Sequence, residues 1–133
     1  MNKKVKYLFS ILAPVSLGEL IDKITILEIK KIYMSGIKLK NVNKEIKLLK
    51  KILQDTNLNI DIDLINNLKQ INNNLWKIED NIRIKESNQE FDKEFIQLAR
   101  SVYKENDKRA SIKKEINQKY NSELVEEKSY NNY

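Results

Sequence analysis

The sequence predicts a mainly α fold, a helical bundle with a long antiparallel helical hairpin, in one domain covering residues 1–133. Three observations predict it. Two Gly and one Pro among 133 residues leave too few turn residues for an all-β fold. Apolar residues recur at the helical period along most of the chain. Capping residues (Ser16, then Asp61 or Asp63, then Ser87) stand just ahead of the periodic stretches. A chain of this length buries a modest core if its helices are long and well paired.

The first helix is predicted over Val15–Ser35, where Ser16 and Glu19 have the spacing of a capping box. Leu17, Leu20, Ile21, Ile24, Leu27 and Ile32 make one broad apolar face, and Ile26, Ile29 and Tyr33 a second, leaving a narrow polar strip of Glu19, Lys23 and Lys30. A helix that is apolar on two sides is central or lies at an interface. This predicts that the other helices pack around it and that the protein is a homo-oligomer, most simply a dimer. Ahead of it, Val5–Leu12 reads as a strand or extended packing segment ended by Pro14; Leu124 and Val125 are its candidate partners in a short two-stranded element. Lys3, Lys4 and Lys6 before an apolar run resemble the start of a signal peptide, but the run leads into a capped helix and not to a small-residue cleavage site. No segment approaches the roughly 20 apolar residues of a membrane span, and the expected location is cytoplasmic.

Ser35-Gly36 reads as a stop, with a glycine suited to a left-handed C-cap. The second helix is predicted from Asn41 to Gln54, with Val42, Ile46, Leu49 and Leu53 as its apolar stripe and Lys40, Lys44, Lys47 and Lys51 as a basic ridge opposite. Such a ridge suits anionic lipid or phosphates. The chain is Lys-rich throughout and this helix has no aromatic residue, so the ridge is read as a solvated face. Peripheral membrane contact stays open, and nucleic acid is not the expected partner. After a loop over Asp55–Asp61, the third helix runs to Glu86 on a seam of Leu64, Leu68, Ile71, Leu75, Ile78 and Ile82. Asn72, Asn73 and Asn74 sit inside it against their propensity. Trp76 and Arg83 share its flank, and the tryptophan is expected to pack on the first helix. Ser87 and Glu90 suggest a second capping box, opening a fourth helix over Asn88–Tyr120 antiparallel to the third. The tail, SELVEEKSYNNY, is too short and too charged for another core helix.

Composition removes several chemistries. Without Cys or His there is no thiolate, no common zinc site and no Ser-His-Asp arrangement. There is no glycine loop to cradle phosphates, and neither a metal nor a cofactor is predicted. Glu79 and Asp80, adjacent on a helix, point about 100° apart and form no acid/base dyad by themselves. The basic excess sits in the first half: residues 1–60 carry 12 Lys against 5 acids, and residues 61–133 carry 13 Lys and Arg against 14 acids. Against that preference for Lys, the only Arg residues, Arg83, Arg100 and Arg109, point to positions where a planar, bidentate donor is wanted.

The fourth helix has an interruption that its periodicity leaves unexplained. Phe91, Phe95, Leu98, Val102, Ile116 and Tyr120 lie along one side, yet Asn106, Arg109 and Lys113 continue the same line through the middle. Burying these groups unpartnered costs several kcal/mol, so they meet acids and carbonyls or line a cleft. A hairpin turning near Asn88 puts Arg109 opposite Leu68 and away from Glu79, so acids of the first helix (Asp22 or Glu28), of the tail or of another subunit are the expected partners. As a ligand site, Arg109, Asn106 and Lys113 would hold a small anion such as a phosphorylated sugar or sugar nucleotide, with Arg100 or Arg83 as an accessory contact. The competing expectation is a structural salt-bridge cluster.

VSLGELIDKITILEIK at 15–30, LWKIEDNIR at 75–83, FIQLARSVYKENDKRASIKKEIN at 95–117 and LVEEKSY at 124–130 resemble a family of small bacterial proteins catalogued only as a domain of unknown function. The resemblance spans nearly the whole chain and is weakest over 37–74. It implies a gene neighbourhood of cell-surface polysaccharide and lipopolysaccharide assembly, beside glycosyltransferases, and carries over no catalytic residue. Three function classes follow in order: an accessory protein of surface-glycan assembly that binds a glycosyltransferase or similar enzyme; a polyanion binder; and a small all-helical enzyme working with Arg, Lys and carboxylates.

Overall fold

The computed structural model describes residues 8–133. Four helices follow one another: α1 (Leu17–Tyr33), α2 (Gly36–Asp55), α3 (Ile62–Ser87) and α4 (Lys93–Lys119). The predicted all-α bundle is the observed one. α3 and α4 form the long antiparallel hairpin, α1 packs against both, and α2 packs back on α1.

Two apolar clusters hold the helices together. Ile21, Leu64, Leu68 and Ile116 join α1, α3 and α4, and Leu27 of α1 meets Val42 and Ile46 of α2. Each such side chain contributes about 1.5–3 kcal/mol by leaving water. The second face of α1 is covered only in part within the chain, with Ile26 half-buried and Tyr33 52 % exposed. Ile29 is buried, and Tyr33 stacks on Trp76 of α3 with centroids 5.1 Å apart. The tryptophan thus sits against the first helix as expected. Ile32, assigned by periodicity to the first face, stays 74 % exposed.

Three boundaries differ from expectation. α2 begins at Gly36, not Asn41, because nothing in Ile37–Lys40 breaks a helix. Gly36 has the left-handed backbone expected of it (φ 61°), but it opens α2 where it was expected to close α1. At the hairpin turn the Ser87–Glu90 capping box does not form. α3 runs through Ser87, Gln89 takes a left-handed backbone (φ 53°), and Asp92 caps α4 by accepting from the Phe95 N–H at 2.9 Å. Lys85 explains the choice: its ammonium meets Glu90, Asp92 and Glu94, at 3.1, 2.9 and 3.1 Å, and holds these acids on the α3 side of the turn. α4 therefore starts at Lys93, not Asn88.

There is no strand among the described residues, so Leu8–Leu12 and Leu124–Val125 do not form the expected two-stranded element. Val5–Tyr7 lie outside the described residues, and Leu8–Leu12 are exposed and unpaired. Leu124 and Val125 belong to a tail that is tied to α4 by ion pairs, which leaves it no edge to offer a strand. No helix among the described residues is long and apolar enough to cross a membrane.

Candidate functional site

The site is built where α1 crosses α4, and the crossing is close because position 18 has no side chain. A Cβ on Gly18 would stand 2.6 Å from the carbonyl oxygen of Lys113. At this distance α4 and the tail satisfy the amides that open α1. Asn117 Oδ1 accepts from Gly18 N at 2.7 Å, Ser122 Oγ from Leu17 N at 3.1 Å, and Ser16 Oγ from Glu19 N at 3.1 Å. The predicted capping box is therefore half used: the Ser16 side chain caps, while the Glu19 carboxylate turns to Lys113 Nζ, 2.6 Å away.

One turn further into α1, Asp22 is fully buried. Its carboxylate accepts from Arg109 Nε at 2.9 Å and Nη2 at 2.5 Å, and from Asn72 Nδ2 at 2.8 Å, with Lys113 Nζ at 3.8 Å. Asn72 Nδ2 also donates to Thr25 Oγ1 at 2.9 Å, and the Thr25 hydroxyl donates to the Asp22 backbone carbonyl at 2.7 Å. A lone carboxylate at this depth would be untenable; two charged and one neutral donor make it a bridge among α1, α3 and α4. The polar interruption of α4 thus meets acids of the first helix and the tail, two of the sources expected.

The electrostatics follow from these contacts. The Asp22 hydrogen bonds hold the Arg109 guanidinium above its ordinary pKa. Burial works to lower Lys113, but hydrogen bonds to Glu19 and Glu126 outweigh it and leave the ammonium raised. Lys128 and then Lys113 pull Glu126 down to about 2 from an ordinary 4.5. A depressed carboxylate stabilises the fold above its unfolded pKa, and that contribution disappears as pH falls through the folded one. The tail is accordingly expected to stay docked on α4 at neutral pH and to release as pH falls from about 4.5 towards 2. Tyrosine ring resonances of Tyr130 and Tyr133, followed by NMR, check this; release complete well above pH 4.5 would contradict it.

The sequence-predicted site residues divide into two groups. Asn106, Arg109 and Lys113 come together, with Arg109 Nη1 donating to Asn106 Oδ1 at 3.4 Å. Arg83 and Arg100 do not join them: Arg83 is an exposed partner of Glu79 at 3.6 Å, and Arg100 is exposed on α4 about 13 Å before Arg109 at the helical rise. Asn72, Thr25, Gly18 and Asn117 escaped the sequence reading. Asn72 had left a signal, as one of three consecutive amides inside a helix they do not favour, and so had Gly18, a glycine in a first turn otherwise suited to side chains. Asn117 Nδ2 is buried without a partner among the described residues.

Beside this fastener the tail runs back along α4 and leaves a cleft of about 640 Å³, lined by Asn106, Arg109 and Lys113 on the helix and by Lys128, Tyr130 and Tyr133 on the tail. The cluster commits its charges to one another; the cleft is where a ligand has room. Among the described residues, no group of three or more acidic side chains is placed to hold a metal ion.

No curated protein and no solved structure matches the chain. The family of unknown function DUF6165 matches residues 12–133, a stretch that contains all four helices, the buried cluster and the cleft. The chain belongs to that family.

Proposed function

We propose that this protein works by binding, as an accessory protein of cell-surface glycan assembly that docks on a larger enzyme such as a glycosyltransferase. One observation carries the binding part of this reading. Leu8, Phe9, Ile11 and Leu12, just ahead of α1, are 85, 87, 84 and 88 % exposed. A dense apolar segment in water fits a surface that a partner covers, with the aromatic ring as anchor. The partner class comes from the gene neighbourhood that the sequence resemblance implies. A small enzyme draws less support, because Asp22, Arg109 and Lys113 are engaged with one another. The polyanion reading keeps one supporting observation: Lys40, Lys44 and Lys47 are exposed on α2.

Co-expression with a candidate glycosyltransferase, followed by size exclusion with light scattering, tests the docking. The expected result is a stable complex that Phe9→Asp and Leu12→Asp abolish while leaving the melting temperature unchanged, since both side chains are exposed. A complex indifferent to both substitutions would overturn the assignment of the docking segment. The same columns report on the chain alone, for which we propose a homodimer that covers the exposed Ile32 and Ile37 at the α1–α2 turn.

A further inference from the structure

After α4 the chain turns at Asn121 (φ 53°) and lies back along the helix, touching it at two places. Near the turn, Lys113 Nζ donates to Glu126 at 2.9 Å, with Lys114 and Glu127 3.7 Å apart. At the far end the Tyr133 hydroxyl donates to Asp107 at 2.5 Å, and its ring meets Tyr103 with centroids 5.0 Å apart. Between these contacts the segment walls one side of the 640 Å³ cleft, which stays open to solvent on the other, with Tyr130 and Tyr133 77 and 75 % exposed. That volume is typical of a small-molecule site, and the lining has the usual composition, mainly apolar with a few convergent polar groups.

We propose that this cleft binds a neutral polyhydroxylated ring, a hexopyranoside unit, between α4 and the tail. The charges decide against an anion. Arg109 is matched by Asp22, Lys113 by Glu19 and Glu126, Lys128 by the same Glu126, and Asp107 adds a further carboxylate. Three cations facing four carboxylates offer a phosphate no surplus positive charge. What remains is partly used hydrogen bonding and aromatic surface: Tyr103 and Tyr133 meet edge to face, and the Lys128 ammonium lies 5.9 Å from the centre of the Tyr130 ring, which leaves an opposite ring face open. Tyr103, Tyr130 and Tyr133 supply rings against which the C–H face of a pyranose packs. Asn106 and Asn131 add amides that both donate and accept, which is what a ring of adjacent hydroxyls requires of its neighbours. The guanidinium of Arg109 uses Nε and one N–H of Nη2 on Asp22, so its outer edge still has N–H groups for a ring oxygen.

This inference deepens the glycan-assembly reading by naming a ligand class, and it rests on residues separate from the docking segment. Saturation-transfer NMR with a panel of methyl hexopyranosides at millimolar concentration tests it. The expected result is transfer to ring protons of at least one glycoside, weakened about tenfold in Tyr130→Ala, as suits the loss of one aromatic contact. Inorganic phosphate is expected not to displace the glycoside. Tyr130 is 77 % exposed, so its replacement leaves the core intact, and an unchanged melting temperature confirms that the variant is folded. No transfer from any glycoside, or transfer unaffected by Tyr130→Ala, overturns the site, and displacement by phosphate overturns the neutral ligand in favour of an anion. Phe9→Asp is expected to keep full glycoside binding, so failure of the docking reading and failure of this one are told apart.

Discussion

Arg109→Met is expected to destabilise the protein by about 3–5 kcal/mol, because it leaves the Asp22 carboxylate buried with its main counter-charge gone. In melting temperature this is a fall of roughly 10–20 °C. Urea denaturation gives the free energy directly. Arg109→Lys keeps one charge and loses the two-point contact, so an intermediate loss is expected. Adding Asp22→Leu to Arg109→Met removes the stranded charge and is expected to restore part of the stability. Recovery stays incomplete, since Asn72 Nδ2 loses one of its two acceptors. The ligand-site alternative for Arg109 makes the opposite forecast: Arg109→Met would cost little, and sulfate or phosphate would raise the melting temperature of the unaltered protein. With every cation of the cluster already matched, no such rise is expected.

Gly18→Ala carries the second largest expected effect. Alanine is the better helix former by about 1 kcal/mol, which on an open helix would make the change favourable. Here the new methyl group meets the Lys113 carbonyl oxygen at 2.6 Å and Asn117 Oδ1 at 3.0 Å. The first of these is backbone and cannot swing aside. The helices must move apart, which stretches the Gly18–Asn117 hydrogen bond and the Glu19–Lys113 pair together. Overpacking of this kind costs about 1–3 kcal/mol, and the loss of these bonds puts the net effect at the upper end, about 2–3 kcal/mol of destabilisation. Equilibrium urea unfolding of the single variant is the measurement, and a neutral or stabilising result would show that α1 and α4 have room at their crossing.

The sequence by itself determined the all-α class, the four helices and the hairpin of α3 and α4, because helical periodicity and end-capping are local properties read over one or two turns. It also determined that Asn106, Arg109 and Lys113 share one side of α4, and by placing Arg109 opposite Leu68 it pointed to acids of α1, the tail or another subunit without choosing between them and a ligand; the structure supplies Asp22 of α1 to Arg109, and Glu19 of α1 and Glu126 of the tail to Lys113. Helix starts were less legible. Ser87 and Asp92 both have cap chemistry, and the choice of Asp92 depends on Lys85 gathering three acids across the turn. Only the tertiary structure decided that Asp22 is the buried hub, that Asn72 and Thr25 complete it, and that Gly18 lets two backbones touch. Each of these depends on atoms separated by about fifty residues or more in the chain, and no local pattern encodes the angle at which α1 crosses α4. The two-stranded expectation failed over a shorter separation, the 13 residues between Lys113 and Glu126. Leu124 and Val125 have strand-like side chains, but the residues beside them, Glu126 and Glu127, find lysines on α4, and those long-range ion pairs set where the tail lies.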